Sequence, residues 1–182
     1  CGHVREANGT APLYGRAMTE PWYWTLPPSA GLESWIVCSW EARPNGRTRL
    51  TPDGCSDLLC TSSGAVVLCG PERRSWDFEL PAESTAVGVR FRAGQLAALF
   101  DLDVSTITDD RVPLHAVVEN PDHDPDGQLA TAGDDRHTLT HRRQALLAWV
   151  EGWSSGRAPD PVSEQIVHRL LTDPSCTQEA LA

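Results

Sequence analysis

The chain has 182 residues, 40% of them hydrophobic and seven of them Trp, which suits one domain with a real core and excludes disorder throughout. Its 25 acids outnumber 15 bases, all of them Arg, and a formal net charge of −10 disfavours direct binding of this stretch to a nucleic-acid backbone. No apolar run approaches the roughly 18 residues of a membrane span, and Cys1 to Thr10 lacks the apolar stretch of an export signal.

Residues 1–20 read as a polar leader with Gly and Pro and no periodicity. From 21 to 118 the pattern is that of short strands. Trp35 to Trp40 is a run of large apolar residues suited to a buried strand. Pro44-Asn45-Gly46 supplies a turn, with Arg47 to Leu50 as the expected return strand. Further strands are expected at Ser56–Thr61, Ala65–Cys69, Trp76–Leu80 and Ala86–Arg92, each bounded by turn residues. In the last of these, Val87, Val89 and Phe91 share one face, and Arg90 and Arg92 fall on the other. Leu96, Leu99 and Phe100 have helical spacing within Gly94–Leu102, and Thr108–Leu114 returns to an extended form.

Residues 119–136 form an acidic, Gly- and Pro-rich loop, and 137–174 read as helices. Leu146, Trp149, Val150 and Trp153 make the stripe of an amphipathic helix. Gly156 is the expected stop, and Asp160-Pro161 combines an N-cap with a first-turn Pro. Ile166, Val167, Leu170 and Leu171 give the second helix its apolar side, and Asp173-Pro174 ends it. Ser175 and Gln178 have capping-box spacing for another helix, and at Ala182 that helix is only about two turns long, too short to stand alone. A cut inside a larger protein is therefore expected.

Four motifs occur in order: Pro52-Asp53-Gly54-Cys55-Ser56-Asp57-Leu58-Leu59, Cys69-Gly70-Pro71, Gly88-Val89-Arg90-Phe91-Arg92-Ala93-Gly94, and Thr108-Asp109-Asp110-Arg111-Val112-Pro113-Leu114. With Pro28, Leu32, Trp35 and Trp40 ahead of them, the chain from about Trp22 onward resembles the N-terminal regulatory region of bacterial AraC-type transcription regulators. Ala93 stands where that family often has Pro, and the acidic loop is longer than its usual connection. The resemblance implies an α+β protein: a cupin-like β-barrel followed by a helical linker and dimerisation region, with 175–182 beginning a helix-turn-helix domain. It implies a cytoplasmic homodimer, not an enzyme. Promoter DNA is contacted through the helix-turn-helix domain and not through this stretch, and the barrel controls that binding by sensing a small effector, by dimerising, or both.

The residues expected at a ligand site are Trp35, Trp40, Asp53, Cys55, Trp76, Arg90 and Arg92. Arg90 and Arg92 suit either an anionic or polar effector, or pairing with Asp53 or Asp57, and the pairing is favoured because the acids are at hand. The three Trp are expected mainly in the core. Leu146, Trp149 and Trp153 are the candidates for packing on the barrel or for a dimer face. No metal or other cofactor is expected. Asp122-His123-Asp124-Pro125-Asp126-Gly127 opens like a calcium loop, but Gly133 occupies the position where the bidentate Glu belongs. Only His115 of the six His borders the strand zone, which argues against a cupin metal centre. Cys1, Cys38, Cys55, Cys60, Cys69 and Cys176 form no CxxC pair and are expected to be reduced. Cys55, Cys60 and Cys69 are read as buried thiols, with a redox sensor as the rival view. The other rival is a stand-alone cytoplasmic ligand-binding barrel.

Overall fold

The computed structural model describes residues 22–118 and 136–173. Eight strands come first: β1 (Tyr23–Leu26), β2 (Ile36–Ala42), β3 (Thr48–Leu50), β4 (Ser56–Thr61), β5 (Val66–Cys69), β6 (Trp76–Phe78), β7 (Ala86–Phe91) and β8 (Arg111–Pro113). The helix α1 (Gln95–Phe100) lies between β7 and β8, and the helices α2 (Arg136–Ser154) and α3 (Pro161–Thr172) follow. The protein is thus α+β, an antiparallel sheet region succeeded by helices.

Six strands form one antiparallel sheet in the order β1-β2-β7-β4-β5-β8, while β3 and β6 pair separately. This corrects two expectations. The Arg47–Leu50 segment does not return along β2: β3 pairs with β6, and β2 lies between β1 and β7. Nor do the strands close into a hydrogen-bonded barrel, because β1 and β8 remain the two edges of the sheet among the described residues. The first edge, β1, carries no strand signal in the reading above, since Pro27 and Pro28 follow it at once.

Strand alternation gives the sheet two different faces. On one, Ile36, Leu58, Cys60, Val66, Leu68, Val87, Val89 and Phe91 are buried beneath α1 and α2. Leu96, Leu99 and Phe100 of α1 and Leu139, Leu146, Trp149 and Val150 of α2 complete that core. Phe100 stands at its centre, 5.7 Å from the Trp149 ring, 5.4 Å from Trp153 and 6.0 Å from Phe91 between centroids. The Leu146–Trp149–Trp153 stripe is therefore packed inside the protomer. That satisfies the packing version of the expectation for Leu146 and Trp149, while Trp153 is only partly buried against them.

One ion pair is enclosed in this core. Arg143 of α2 donates from Nε to Glu41 of β2 at 2.8 Å and from an Nη to Ser39 Oγ at 3.2 Å. The Glu41 side chain is only 3% exposed. The opposite face of the sheet carries a second, smaller core of Trp40, Ala42, Leu80 and Ala86, with Tyr23, Cys38, Leu59 and Phe78 packed around it. Phe78 comes from β6, so the two-stranded sheet lies over this face.

Tight chain approaches fix the joints. Gly70 follows β5 so closely against the 3₁₀ turn Val104–Ile107 that a Cβ there would lie 1.8 Å from the Ile107 carbonyl oxygen. Asp160 caps α3 as expected, its carboxylate accepting from the Val162 and Ser163 amides, with Pro161 at the first helical position. On α3, Ile166 and Val167 are half-buried while Leu170 is half-exposed, so only part of its apolar stripe is covered. No helix among the described residues is long and apolar enough to cross a membrane.

Candidate functional site

The pairing register lines up one residue from each of five strands across the second face. Cys38 of β2 stands opposite Arg90 of β7, Arg90 opposite Asp57 of β4, Asp57 opposite Cys69 of β5, and Cys69 opposite Arg111 of β8. Two residues along each strand the next row is apolar: Trp40, Gly88, Leu59, Val67 and Pro113 in the same strand order. A polar rung thus lies beside an apolar one, on the face that α2 does not cover.

Arg90 is the centre of the polar rung. It donates from Nε and an Nη to Asp57, at 3.2 Å and 3.0 Å, and from the other Nη to Asp53 at 3.0 Å. Asp53 reaches in from the Pro52-Asp53-Gly54 turn and also accepts the Cys55 amide at 3.0 Å. Burial works against the Arg90 cation, but the Asp57 charge and its hydrogen bonds, with Asp53, outweigh it and raise the guanidinium pKa. The favoured expectation for Arg90, pairing with Asp53 and Asp57, is met. The cluster is not sealed: the side chains of Arg90, Asp53 and Asp57 are 28%, 26% and 16% exposed.

Trp40 forms the wall beside this triad. Its indole Nε1 donates to Asp57 Oδ1 at 2.9 Å. The ring lies directly over Gly88, where a Cβ would fall 2.2 Å from Trp40 Cζ2, so only Gly leaves room for it there. Tyr23 packs on the same ring, 5.8 Å between centroids. Burial pushes the Tyr23 phenol up, with Arg90, Asp57, Cys38 and Asp53 all within electrostatic reach. At the other end of the rung, the Arg111 guanidinium sits 3.5 Å from the Trp76 ring centroid and pairs with Glu72.

Four of the expected site residues therefore converge with Arg90: Trp40, Asp53 and Cys55 around it, and Trp76 further along the rung. Two do not. Trp35 is buried in the core beneath the helices, on the far side of the sheet. Arg92 lies past the end of β7, is exposed, and donates to the Glu33 carbonyl rather than to an acid of the cluster. Tyr23, Cys38, Cys69, Glu72 and Arg111 belong to the site and were not anticipated there, while Asp57 entered only as a possible partner of Arg90.

Of the three thiols expected to be buried, Cys60 is, whereas Cys55 and Cys69 are only partly buried. Burial pushes Cys55 and Cys69 up to about 12, and it raises Cys38 as well. Neighbouring carboxylates add to the shift and the guanidiniums oppose it. At pH 8 the thiolate fraction is then about a thousandfold lower than for an ordinary thiol of pKa about 8.5. Alkylation of Cys55 and Cys69 in the folded protein is accordingly expected to be at least about a hundredfold slower than that of free cysteine. Its rate should keep rising with pH beyond 9, which mass spectrometry of the trapped peptides reads directly. Rapid labelling at pH 7 would restore the redox-sensor reading.

Among the described residues, no group of three or more His, Cys, Asp and Glu side chains is placed to hold a metal ion. The Asp122–Gly127 segment lies outside the described residues, as do residues 1–21 and 174–182.

The site therefore belongs to an antiparallel α+β protein whose sheet presents a polar rung opposite its helix-covered face. Residues 25–113 match the family described as Domain of unknown function (DUF6597), a span that begins in β1 and ends with β8. Searches of curated proteins and of solved structures return no match.

Proposed function

We propose that this chain is the effector-sensing part of an AraC-type transcription regulator, and that the effector binds on the polar rung. The observation that carries the reading is the register-aligned row Cys38–Arg90–Asp57–Cys69–Arg111, partly exposed to solvent and flanked by Trp40 and Trp76. Charged residues set in a row on a sheet face are an expensive way to build a core and a suitable way to orient a ligand. The open sheet, with β3 and β6 lying over its second face, is read as a cupin-like barrel that stays unclosed. The order of the motifs along the chain supports the family assignment.

Charge narrows the ligand class. Asp53 and Asp57 neutralise Arg90, and Glu72 neutralises Arg111, so an anion meets no uncommitted guanidinium on this rung. A neutral molecule bearing hydroxyl or amide groups fits better.

In the whole regulator, a helix-turn-helix domain following α3 contacts promoter DNA, and the protein works as a cytoplasmic dimer. The sensing step itself involves no catalysis, metal or cofactor. Effector binding then changes how two DNA-binding units are presented to adjacent half-sites.

A thermal-shift screen of the intact chain tests the site, using neutral polyols and amides beside small carboxylates and phosphates. Stabilisation by a neutral compound, lost in Asp57→Asn, is expected. No response to any compound, or an undiminished response in Asp57→Asn, overturns the assignment. Reading the coding sequence beyond Ala182 tests the DNA-binding half: an Arg-rich helix-turn-helix segment is expected. A stop codon there favours a stand-alone ligand-binding protein.

A further inference from the structure

The segment joining the rung to α3 is short and tightly held. Beyond Arg90 and Phe91 the chain is pinned at Arg92, whose amide donates to the Trp35 carbonyl at 2.9 Å and whose Nε donates to the Glu33 carbonyl at 2.6 Å. It then turns through Gly94, with φ of +80°, into α1.

The first residue of α1 is Gln95, fully buried. Its side-chain amide grips the Asp160 main chain at two points. Nε2 donates to the Asp160 carbonyl at 3.1 Å, and Oε1 accepts the Asp160 amide at 2.9 Å. Asp160 in turn caps α3, and its carboxylate also accepts from Ser163 Oγ at 2.5 Å. Ser163 packs so closely on Gly94 that a Cβ there would fall 2.1 Å from Ser163 Oγ.

The start of α3 is thus fixed to the strand that carries Arg90 by one buried amide and one Gly contact. The last part of the helix is covered less, with Leu170 50% exposed. A buried amide with both ends engaged tolerates little displacement, because a small shift leaves a donor and an acceptor without partners.

We infer that the Gln95–Asp160 clamp couples the rung to α3, so that a change at Arg90 alters how firmly the first turn of α3 is held. This rests on the rung being the sensing site, but its test needs no ligand. Hydrogen exchange of the α3 amides is measured in the intact wild-type chain, in Arg90→Gln, in Gln95→Leu and in the double variant. Gln95→Leu keeps a side chain of similar bulk and removes both hydrogen bonds.

Gln95→Leu is expected to speed exchange in the first turn of α3 at least tenfold while the amides of β4 and β7 stay within about twofold. Arg90→Gln is expected to speed α3 exchange in the wild-type background and to add nothing in the Gln95→Leu background. Unchanged α3 exchange in Arg90→Gln, or fully additive effects, overturns the coupling. If Gln95→Leu fails to fold, Gln95→Met, which also removes both hydrogen bonds, replaces it with the same expectations. A ligand that binds the rung without altering α3 exchange would defeat the coupling and leave the binding site standing. A failed ligand screen with coupled exchange would do the reverse.

Discussion

Replacing Arg143 by Met is expected to lower the unfolding free energy by about 3–5 kcal/mol, the usual cost of stranding one partner of a buried ion pair. Glu41 lies between β2 and α2 with a side chain 3% exposed, and Arg143, 11% exposed, supplies its 2.8 Å hydrogen bond. With a thioether in its place, the buried carboxylate loses that guanidinium. Ser39 Oγ loses its donor at the same time.

The pair itself need not stabilise the fold, because desolvating two charges offsets much of their attraction. The double variant Glu41→Leu/Arg143→Met should therefore recover most of the loss. Urea unfolding of the single and double variants decides this. A single-variant loss below about 1 kcal/mol would mean that the pair is effectively solvated.

Trp149→Ala is expected to cost about 3–5 kcal/mol, as large-to-small changes do in a well-packed core. Trp149 is 5% exposed, and its ring lies 5.7 Å from Phe100 and 5.6 Å from Trp153 between centroids. Truncation removes the contact that seats α2 on α1. Light scattering of the folded variant should give the same mass as the wild type. A changed mass with little loss of stability would place Trp149 at an interface between copies.

Periodicity made most elements of the fold legible. β4, β5, β6, β7 and α1 fall where alternation and turn residues place them, and α3 begins at its Asp-Pro signal. Sheet order was not legible, because pairing is decided by packing and loop geometry between segments far apart in the chain. Arg47–Leu50 looked like a return strand for that reason, since a turn signal says that the chain reverses but not which strand it meets.

The site follows the same rule. Arg90 and its acids were legible as opposite charges on one strand face and in a nearby turn. Cys38, Cys69 and Arg111 join the rung only once the order β2-β7-β4-β5-β8 is known. Arg92 was misplaced because alternation fails at strand ends, whereas Trp35 takes the core position favoured for the three Trp. Trp35 precedes β2, with a register irregularity just inside it, and Arg92 follows the last residue of β7. The Glu41–Arg143 pair had a faint signal: a carboxylate alternating with Cys38, Trp40 and Ala42 in an otherwise apolar strand.

The two-faced sheet also bears on how such a protein diversifies. Along β7 the chain alternates between residues that hold the helices, Val87, Val89 and Phe91, and residues that shape the rung, Gly88 and Arg90. Substitutions of the first kind threaten folding, as does any side chain at Gly88, which would meet the Trp40 ring, whereas exchange of Arg90 acts on the polar rung. Changes confined to Cys38, Cys69 and Arg111 leave the packing under α2 untouched. The polar row can therefore change in chemistry while selection for stability acts on the helix-covered side and on the smaller core around Trp40.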